Sequence, residues 1–518
     1  MSIETPDAPL DPTSGPRRGA YPISLSSVTT AGFLGRTERG PINEPVAVES
    51  FPEYCRYFGG HLADGAVSHA VHDFFVHGGR RAVIVRVANR ARRARLDLPT
   101  DADPLRLEAR YPGRHELLRA SIDYERVEDD PARFNLVVQR VNASGNRIVE
   151  DQELYPLVSI RSADSRFVGK VLEDSRLIAL AGPVPAARPR PTPPDRPGES
   201  VRYVALTAPG NDGEDLTDYD VIGSNRDGTG LFAFGRGPRI DLLAIPLPPG
   251  RDLGTTAFVA ASRFCEARRM LMILDPLWAW QSADAALLGS RRLEYANGNV
   301  MTYFPRIRPR GARARHADGL PACGAIAGLL AERDRRGIFG RDEDTDYTLR
   351  AALTPVLSLT AIEAQRLARH GINAFLQATS GASRLVGRVT LGAARLGPRP
   401  GSSLDRRRLE CFILNSIEDA VTEQAAAGDP ATELARSEPQ LRRFLDELYL
   451  RGALKGRTRA QAFYLEARGG NGTRPAGLRF GIALAAPQRF ADYGVDLEGE
   501  RAGRVQRVHG LEAEQLFN

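Results

Sequence analysis

HDFFVHGGRRAVIVRV, residues 72–87, joins two kinds of patterning at one glycine pair. Upstream, Val67, Ala70, Val71 and Phe74 recur at helical spacing, which predicts an amphipathic helix over DGAVSHAVHDFFVH. Gly78 and Gly79 supply the left-handed stop that ends such a helix. Downstream, RAVIVRV is a nearly continuous apolar, β-branched run, the composition of a strand covered on both faces. A helix feeding directly into a covered strand is a unit of an α/β layer. The junction carries two arginines and no nucleophile, acid or phosphate loop, so packing rather than chemistry is its expected service.

The neighbouring segments extend the layer. TAGFLG predicts a strand ending at Gly35, and Gly40-Pro41 with Asn43 predicts a turn. SFPEYCRYFGG predicts a short helix with Ser50 as N-cap, Glu53 in the capping-box position and a stop at Gly59-Gly60. Before this, Tyr21, Ile23 and Leu25 alternate with polar residues as a strand would, beside a polar, proline-containing N-terminus. Residues 92–200 change character: a polar linker, β-runs around FNLVVQRV, and GPVPAARPRPTPPDRPG, whose proline density favours an extended chain. The α/β pattern resumes with strands IDLLAIP and MLMILDP around the helix TTAFVAASRFCEARR. Helices ACGAIAGLLAERDRRG and SLTAIEAQRLARHG follow, then a long helix carrying Leu409, Phe412, Ile413, Ile417, Ala420 and Val421 on one stripe. EPQLRRFLDELYLRG and strands AQAFYLEAR and LRFGIALAAP close the pattern.

The chain of 518 residues is too long for one ordinary domain. Its 42% hydrophobic and 26% charged residues suit a chain with real cores, and no apolar run reaches the roughly 18–20 residues of a membrane span. The N-terminus lacks a signal-peptide core, which predicts synthesis in the cytoplasm without export. Four dispersed cysteines, Cys55, Cys265, Cys323 and Cys411, form no C-x-x-C pair, so reduced, mostly buried thiols are expected. The net charge of +6 is mild. The densest basic run, RPRGARARH at 308–316, lacks the aromatic ladder of a single-strand binder and reads as a solvated loop.

Candidate chemistry is thin. His69, His72 and His77 read as surface or satisfied histidines rather than metal ligands. RDEDTDYT at 341–348 lacks the central glycine and closing glutamate of a calcium loop. Gly228 and Gly230 form a G-x-G without the spacing of a dinucleotide fingerprint. Asp275 ends the strand MLMILDP, where α/β sheets bind ligands, but a carboxylate capping the turn before Pro276 is the favoured reading. No catalytic residue, cofactor or metal is assigned.

The order of the motifs carries more than any one of them. AYPISLSSVTTAGFLGRTERGPINEPVAVESFPEYCRYFGG followed by AVHDFFVHGGRRAVIVRVAN resembles the tail sheath family of contractile phage tails and phage tail-like contractile injection systems. LEARYPGRHE, YANGNVMTYFPRIRP, GLPACGAIAGLLAERDRRGIFG, HGINAF, RRLECFILNSIEDAV and FLDELYLRGALKG followed by AFYLEA continue the resemblance in order. The chain departs from it at His77, where the family has Asn, at Glu116, around Thr390–Gly392, and after Val421, where the family's tryptophan and F-E-P-N are missing.

The resemblance implies a mixed α+β and α/β, multi-domain, sheath-type core with an inserted β-rich domain and extended terminal arms. The expected divisions are an N-terminal arm over 1–30, core over 31–91, insert over 92–200, middle α/β domain over 201–395, C-terminal core over 396–493 and C-terminal arm over 494–518. It further implies a non-enzymatic subunit that polymerises helically around an inner tube protein, with baseplate and terminator or cap partners and no direct nucleic-acid contact. Such particles assemble in the cytoplasm and are released in some systems. The arms would add strands to neighbouring copies through Tyr21, Ile23, Leu25 and Val28 at one end and Val495, Leu497, Val505 and Val508 at the other. Glu418, Glu423, Asp429 and Glu433 are the tube-facing candidates. The alternatives are a non-contractile baseplate or capsid protein and, further off, an α/β enzyme.

Overall fold

The computed structural model describes residues 23, 29–60, 65–142, 148–192, 202–293, 295–310, 318–337, 347–350, 353–377, 381–392, 403–425, 430–468, 476–497 and 502–508. The chain divides into two compact units. One comprises Val28–Arg336 with Asp344–Leu404; the other gathers Met1–Ser27, Gly337–Glu343 and Asp405–Asn518.

The larger unit is built on an eight-stranded sheet. Its early elements are β1 (Thr30–Gly35), β2 (Pro45–Val48), α1 (Phe51–Phe58), α2 (Ala66–Val76) and β3 (Arg81–Arg86). An insert then contributes β4 (Arg95–Leu98), β5 (Leu105–Ala109), β6 (Leu118–Asp123), β7 (Arg133–Val141), β8 (Val149–Ser159), β9 (Ile178–Leu180) and β10 (Val204–Ala205). The sheet resumes with β11 (Leu242–Ala244), α3 (Thr255–Ala267), β12 (Leu271–Leu274), α4 (Ala283–Ser290) and β13 (Val300–Phe304). After β14 (Ile307–Pro309) come α5 (Cys323–Gly337), β15 (Leu353–Pro355), α6 (Ala361–Arg369), β16 (Ile372–Gln377) and β17 (Ser383–Val386). The strand order is β17-β16-β13-β12-β11-β1-β3-β2, parallel except for the antiparallel edges β2 and β17.

The 72–87 stretch behaves as its composition requires. α2 ends at Val76; Gly78, at φ 103°, turns the chain, and the Gly79 N–H returns to the Phe74 carbonyl at 2.9 Å. A side chain on Gly79 would collide with the Phe74 ring. In β3, Ala82 and Ile84 enter one core with α1, α2 and α5, while Val83 and Val85, with Val87 just beyond the strand, enter the other with α3 and α4. Both faces of the strand are covered, so a continuous apolar run is what the position demands. The Ser50 hydroxyl accepts from the Glu53 N–H at 3.3 Å, but Glu53 returns to the Glu49 N–H at 2.8 Å, so the capping box closes one residue early.

The insert forms a four-stranded antiparallel sheet, β10-β6-β7-β8, and a three-stranded one, β4-β5-β9, around one shared core. One sequence expectation is corrected here and a second gains detail. The polar linker after Arg92 contains β4, in which Leu96 and Leu98 are buried and alternate with more exposed neighbours. The start of the proline-rich run, read as an extended chain, is docked on the insert: Arg188 caps the carbonyls of Val127, Asp130 and Arg133 and lies over the Tyr124 ring, and Arg190 and Thr192 donate to Pro99 and Ile122. Prolines remove donors but leave carbonyls and fixed φ angles, which suits an ordered strap on a sheet.

The smaller unit contains α7 (Leu404–Ala425), α8 (Pro430–Leu450), β18 (Phe463–Arg468), β19 (Gly477–Ile482), β20 (Ala491–Asp496) and β21 (Val505–Arg507). Its strands form an antiparallel meander in sequence order. The apolar stripe read from the sequence is real: Leu409, Ile413, Ile417 and Val421 join Leu441, Leu445, Leu448, Phe480 and Tyr493 in one core.

Candidate inter-subunit site

The residues that chemistry would have used are structural. Asp275, half-buried just past the end of β12, accepts with its carboxylate the N–H groups of Ala322 at 2.7 Å and Cys323 at 3.0 Å where α5 begins. Burial raises its pKa against those hydrogen bonds, and it raises that of the Cys323 thiol beside it well above the usual value. A buried, protonated thiol against a helix-capping carboxylate is an inert pair. The Gly228–Gly230 turn packs against the loop at Gly223, with Gly230 N–H donating to Asn43 Oδ1 at 2.9 Å. Of the histidines, His77 is buried with both ring nitrogens engaged. Among the described residues no group of three or more His, Cys, Asp and Glu side chains is placed to hold a metal. The basic run and the acidic 341–348 segment lie mostly outside the described residues.

The terminal arms expected from the sequence lead to the sheet of the smaller unit, which among the described residues ends in two edge strands. Its edges are β18 and β21. An edge strand presents a row of backbone donors and acceptors to any strand that arrives. β21 is short and held in two ways. It pairs with β20 through Val495↔Val505, Gly494↔Gln506 and Tyr493↔Arg507, and the Val505 N–H donates to Glu418 Oε2 on α7 at 3.0 Å. The turn leading into it runs through Gly503, at φ 80°, whose N–H returns to the Asp496 carbonyl at 2.8 Å. A side chain at Gly503 would meet Thr422 of α7, so the turn and the helix fit closely. Beneath them the Tyr493 hydroxyl donates to Glu410, which also pairs with Arg407 at 2.8 Å. Burial first, and the Glu410 carboxylate second, push the Tyr493 pKa strongly upward, so the phenol stays a donor.

The sequence-derived arm residues fall differently across this site. Val495 and Leu497 are core residues of the smaller unit, because β20 runs through the point where the C-terminal arm was expected to begin. Val505 is buried on β21 and paired within its own chain, and Val508 follows, its N–H donating to the Asp492 carbonyl at 2.9 Å. At the N-terminus Ile23 packs against this same core, whereas Tyr21, Leu25 and Val28 lie outside the described residues. Glu418, read as tube-facing, is half-buried and turned to β21. Asp429 and the side chains of Glu423 and Glu433 also lie outside the described residues. Sequence reading missed the Glu418–Val505 bond, since nothing in local spacing marks a contact between residues so far apart.

No protein-family model matches the chain, and no curated protein does. Solved structures do. The sheath tail protein of Listeria innocua superposes with a TM-score of 0.63 at 13% identity, over 92% of this chain and 96% of that one. The sheath tail protein of Desulfitobacterium hafniense gives 0.54 at 12% identity, over 97% and 99%. A sheath complex of an extracellular contractile injection system in its contracted state gives 0.51 at 11%, over 95% and 96%. The chain therefore has the fold of these sheath proteins along almost its whole length.

Proposed function

We propose that this protein is the structural subunit of a contractile sheath: it polymerises helically around an inner tube and shortens to drive that tube forward. The observation that carries this reading is the fold match, which spans nearly all of both chains. The work is mechanical. Subunits must stay joined while they slide, and strand pairing through backbone groups tolerates such motion better than interlocked side chains do.

In this reading the terminal segments are exchanged between copies. Tyr21–Val28 of one subunit and the Val505–Val508 region of another add to the smaller unit's sheet in a third. The cis pairing of β21 is then the closed form of a contact that a neighbour's identical strand can make, which is the general route of segment swapping. About four to six hydrogen bonds per arm, at roughly 0.5–1.5 kcal/mol net each, contribute roughly 2–9 kcal/mol per contact. Head-to-tail contacts of this kind propagate rather than close, and give a helix. The partners are further copies of this chain, a tube protein, and baseplate and terminator proteins. The residues facing the tube include Glu423, Asp429 and Glu433. The insert over 92–200 lies on the outer surface of the sleeve, and the particle assembles in the cytoplasm.

Negative-stain microscopy of the purified chain tests the reading. Hollow cylinders of regular cross-section are expected from the full chain, and folded, non-polymerising monomers after deletion of residues 1–28. Compact closed oligomers from the full chain would exclude a sheath. Normal cylinders from the truncated chain would exclude the N-terminal arm.

A further inference from the structure

The two connections that carry the insert are not separate tethers. Asn89 pairs with Glu214, Arg92 with Asn211 and Arg95 with Ala208, an antiparallel ribbon at the root of the insert. Arg92 and Asn211 exchange both of their backbone hydrogen bonds, at 3.1 and 3.0 Å. Gly210 and Gly213 sit where any side chain would strike the opposing backbone, and Gly213 is at φ 81°.

Beside this ribbon lies a buried polar cluster that no other contact explains. Arg86, 1% exposed at the end of β3, donates from Nη1 to the Gly40 carbonyl at 2.7 Å. Its Nε and Nη2 have no protein partner among the described residues. The same holds for the Tyr54 hydroxyl on α1, 0% exposed, and for Oε1 of Glu116, 2% exposed, in the loop before β6. Nε of Arg39 and of Arg140 add two more buried donors. Arg140 reaches Glu116 at 3.6 Å and Glu150 at 3.7 Å, and Arg39 pairs with Glu150 at 2.9 Å. Gly113, at φ 154°, borders the cluster: a Cβ there would lie 3.5 Å from Arg86 Nη2.

We propose that the root of the insert encloses ordered water, held between Arg86, Tyr54 and Glu116, which fixes the insert to the α/β sheet as one rigid piece. Buried polar atoms of this kind are satisfied by internal water when they lack protein partners. The unpaired atoms are mostly donors, so the guest must offer lone pairs. It need not be an anion, because Glu38, Glu116, Glu150 and Asp212 already offset Arg36, Arg39, Arg86 and Arg140 in the same neighbourhood. Burial lowers the Arg86 pKa only to about 10, with Asp212 and Glu116 holding it up, so the guanidinium stays charged at neutral pH. Core and insert each contribute partners to the water: β3 and α1 from one side, the β5–β6 loop and β7 from the other.

A crystal structure of the full chain at water-resolving resolution, with a parallel bromide soak, tests the occupant. Water within hydrogen-bond distance of both Arg86 Nη2 and Glu116 Oε1 is expected. A direct Arg86–Glu116 pair that closes the space, or a bromide anomalous peak there, would overturn it. Hydrogen exchange of the full chain tests the rigidity. Amides of Arg92, Arg95 and Asn211 should exchange as slowly as those of β3, and Arg86→Met should speed them tenfold or more while β19 and β20 are unchanged. Should Arg86→Met fail to fold, Tyr54→Phe removes only the hydroxyl, and a several-fold acceleration confined to the same amides is expected. Fast exchange of the ribbon in the native chain, or no change in Tyr54→Phe, would sink the clamp.

Discussion

His77 shows how one side chain can set a pH limit on the larger unit. Its Nδ1–H donates to the Asp73 carbonyl at 2.7 Å, and its Nε2 accepts the Arg350 N–H at 2.9 Å. That pair of bonds fixes the neutral tautomer, since a protonated ring has no acceptor to offer. Burial lowers its pKa below 6.5, with Arg350 and His72 adding repulsion and Asp73 opposing. The unfolded chain therefore binds this proton at a higher pH than the folded one. Stability from this group is complete above about pH 6.5 and falls as pH drops through the window down to the folded pKa, by up to about 1.4 kcal/mol per pH unit. Urea midpoints measured from pH 7.5 to 5 should decline more steeply in the native chain than in His77→Gln. Equal slopes would show that His77 does not limit acid stability. The sequence identified the histidine trio and the bland reading of it. It gave no hint that the last of the three anchors a backbone amide 273 positions away.

At the scale of elements, α2 and α5 meet through a pair of glycines. A side chain on Gly324 would run into the backbone of Ala70, and one on Gly328 into Phe74 and His77. Small residues one helical turn apart let two helices approach closely, and an added side chain forces them apart. Gly324→Val should lower the unfolding free energy by roughly 1–3 kcal/mol or more, read from denaturant midpoints, despite valine's better helix propensity. A neutral result would mean the helices can separate freely. Helices, glycine stops and the covered strand were legible because each announces itself within a dozen residues: α1 by Ser50, α2 by its stripe and Gly78, β3 by its unbroken apolar run. β4 and the proline-rich strap were not. Arg95, Asp97 and the surrounding arginines hide the alternation of Leu96 and Leu98, and the strap's order comes from carbonyls that Arg188 and its neighbours satisfy at a distance.

For the molecule as a whole, the sequence conveyed the kind of fold through the order of modest motifs, and the structural neighbours share that fold along nearly their full length. It conveyed less about the candidate site. The strand β21 is only three residues long; it pairs with β20 just before it, and its other hold, Glu418, is separated from it in sequence by the helix α8 and three strands. Among the described residues no helix is long and apolar enough to cross a membrane. The ribbon at the root of the insert has a consequence of its own. Entry and exit chains run side by side at Arg95 and Ala208, about 5 Å apart as in any ladder. Excising residues 96–207 and joining the cut ends with Asn-Gly should leave the eight-stranded sheet folded, seen as retained cooperative unfolding; aggregation on expression would count against it. The same doorway would accept a foreign domain whose own termini are adjacent, so a sleeve built from this chain would carry its cargo as a dense, evenly spaced array of grafts, one on every subunit.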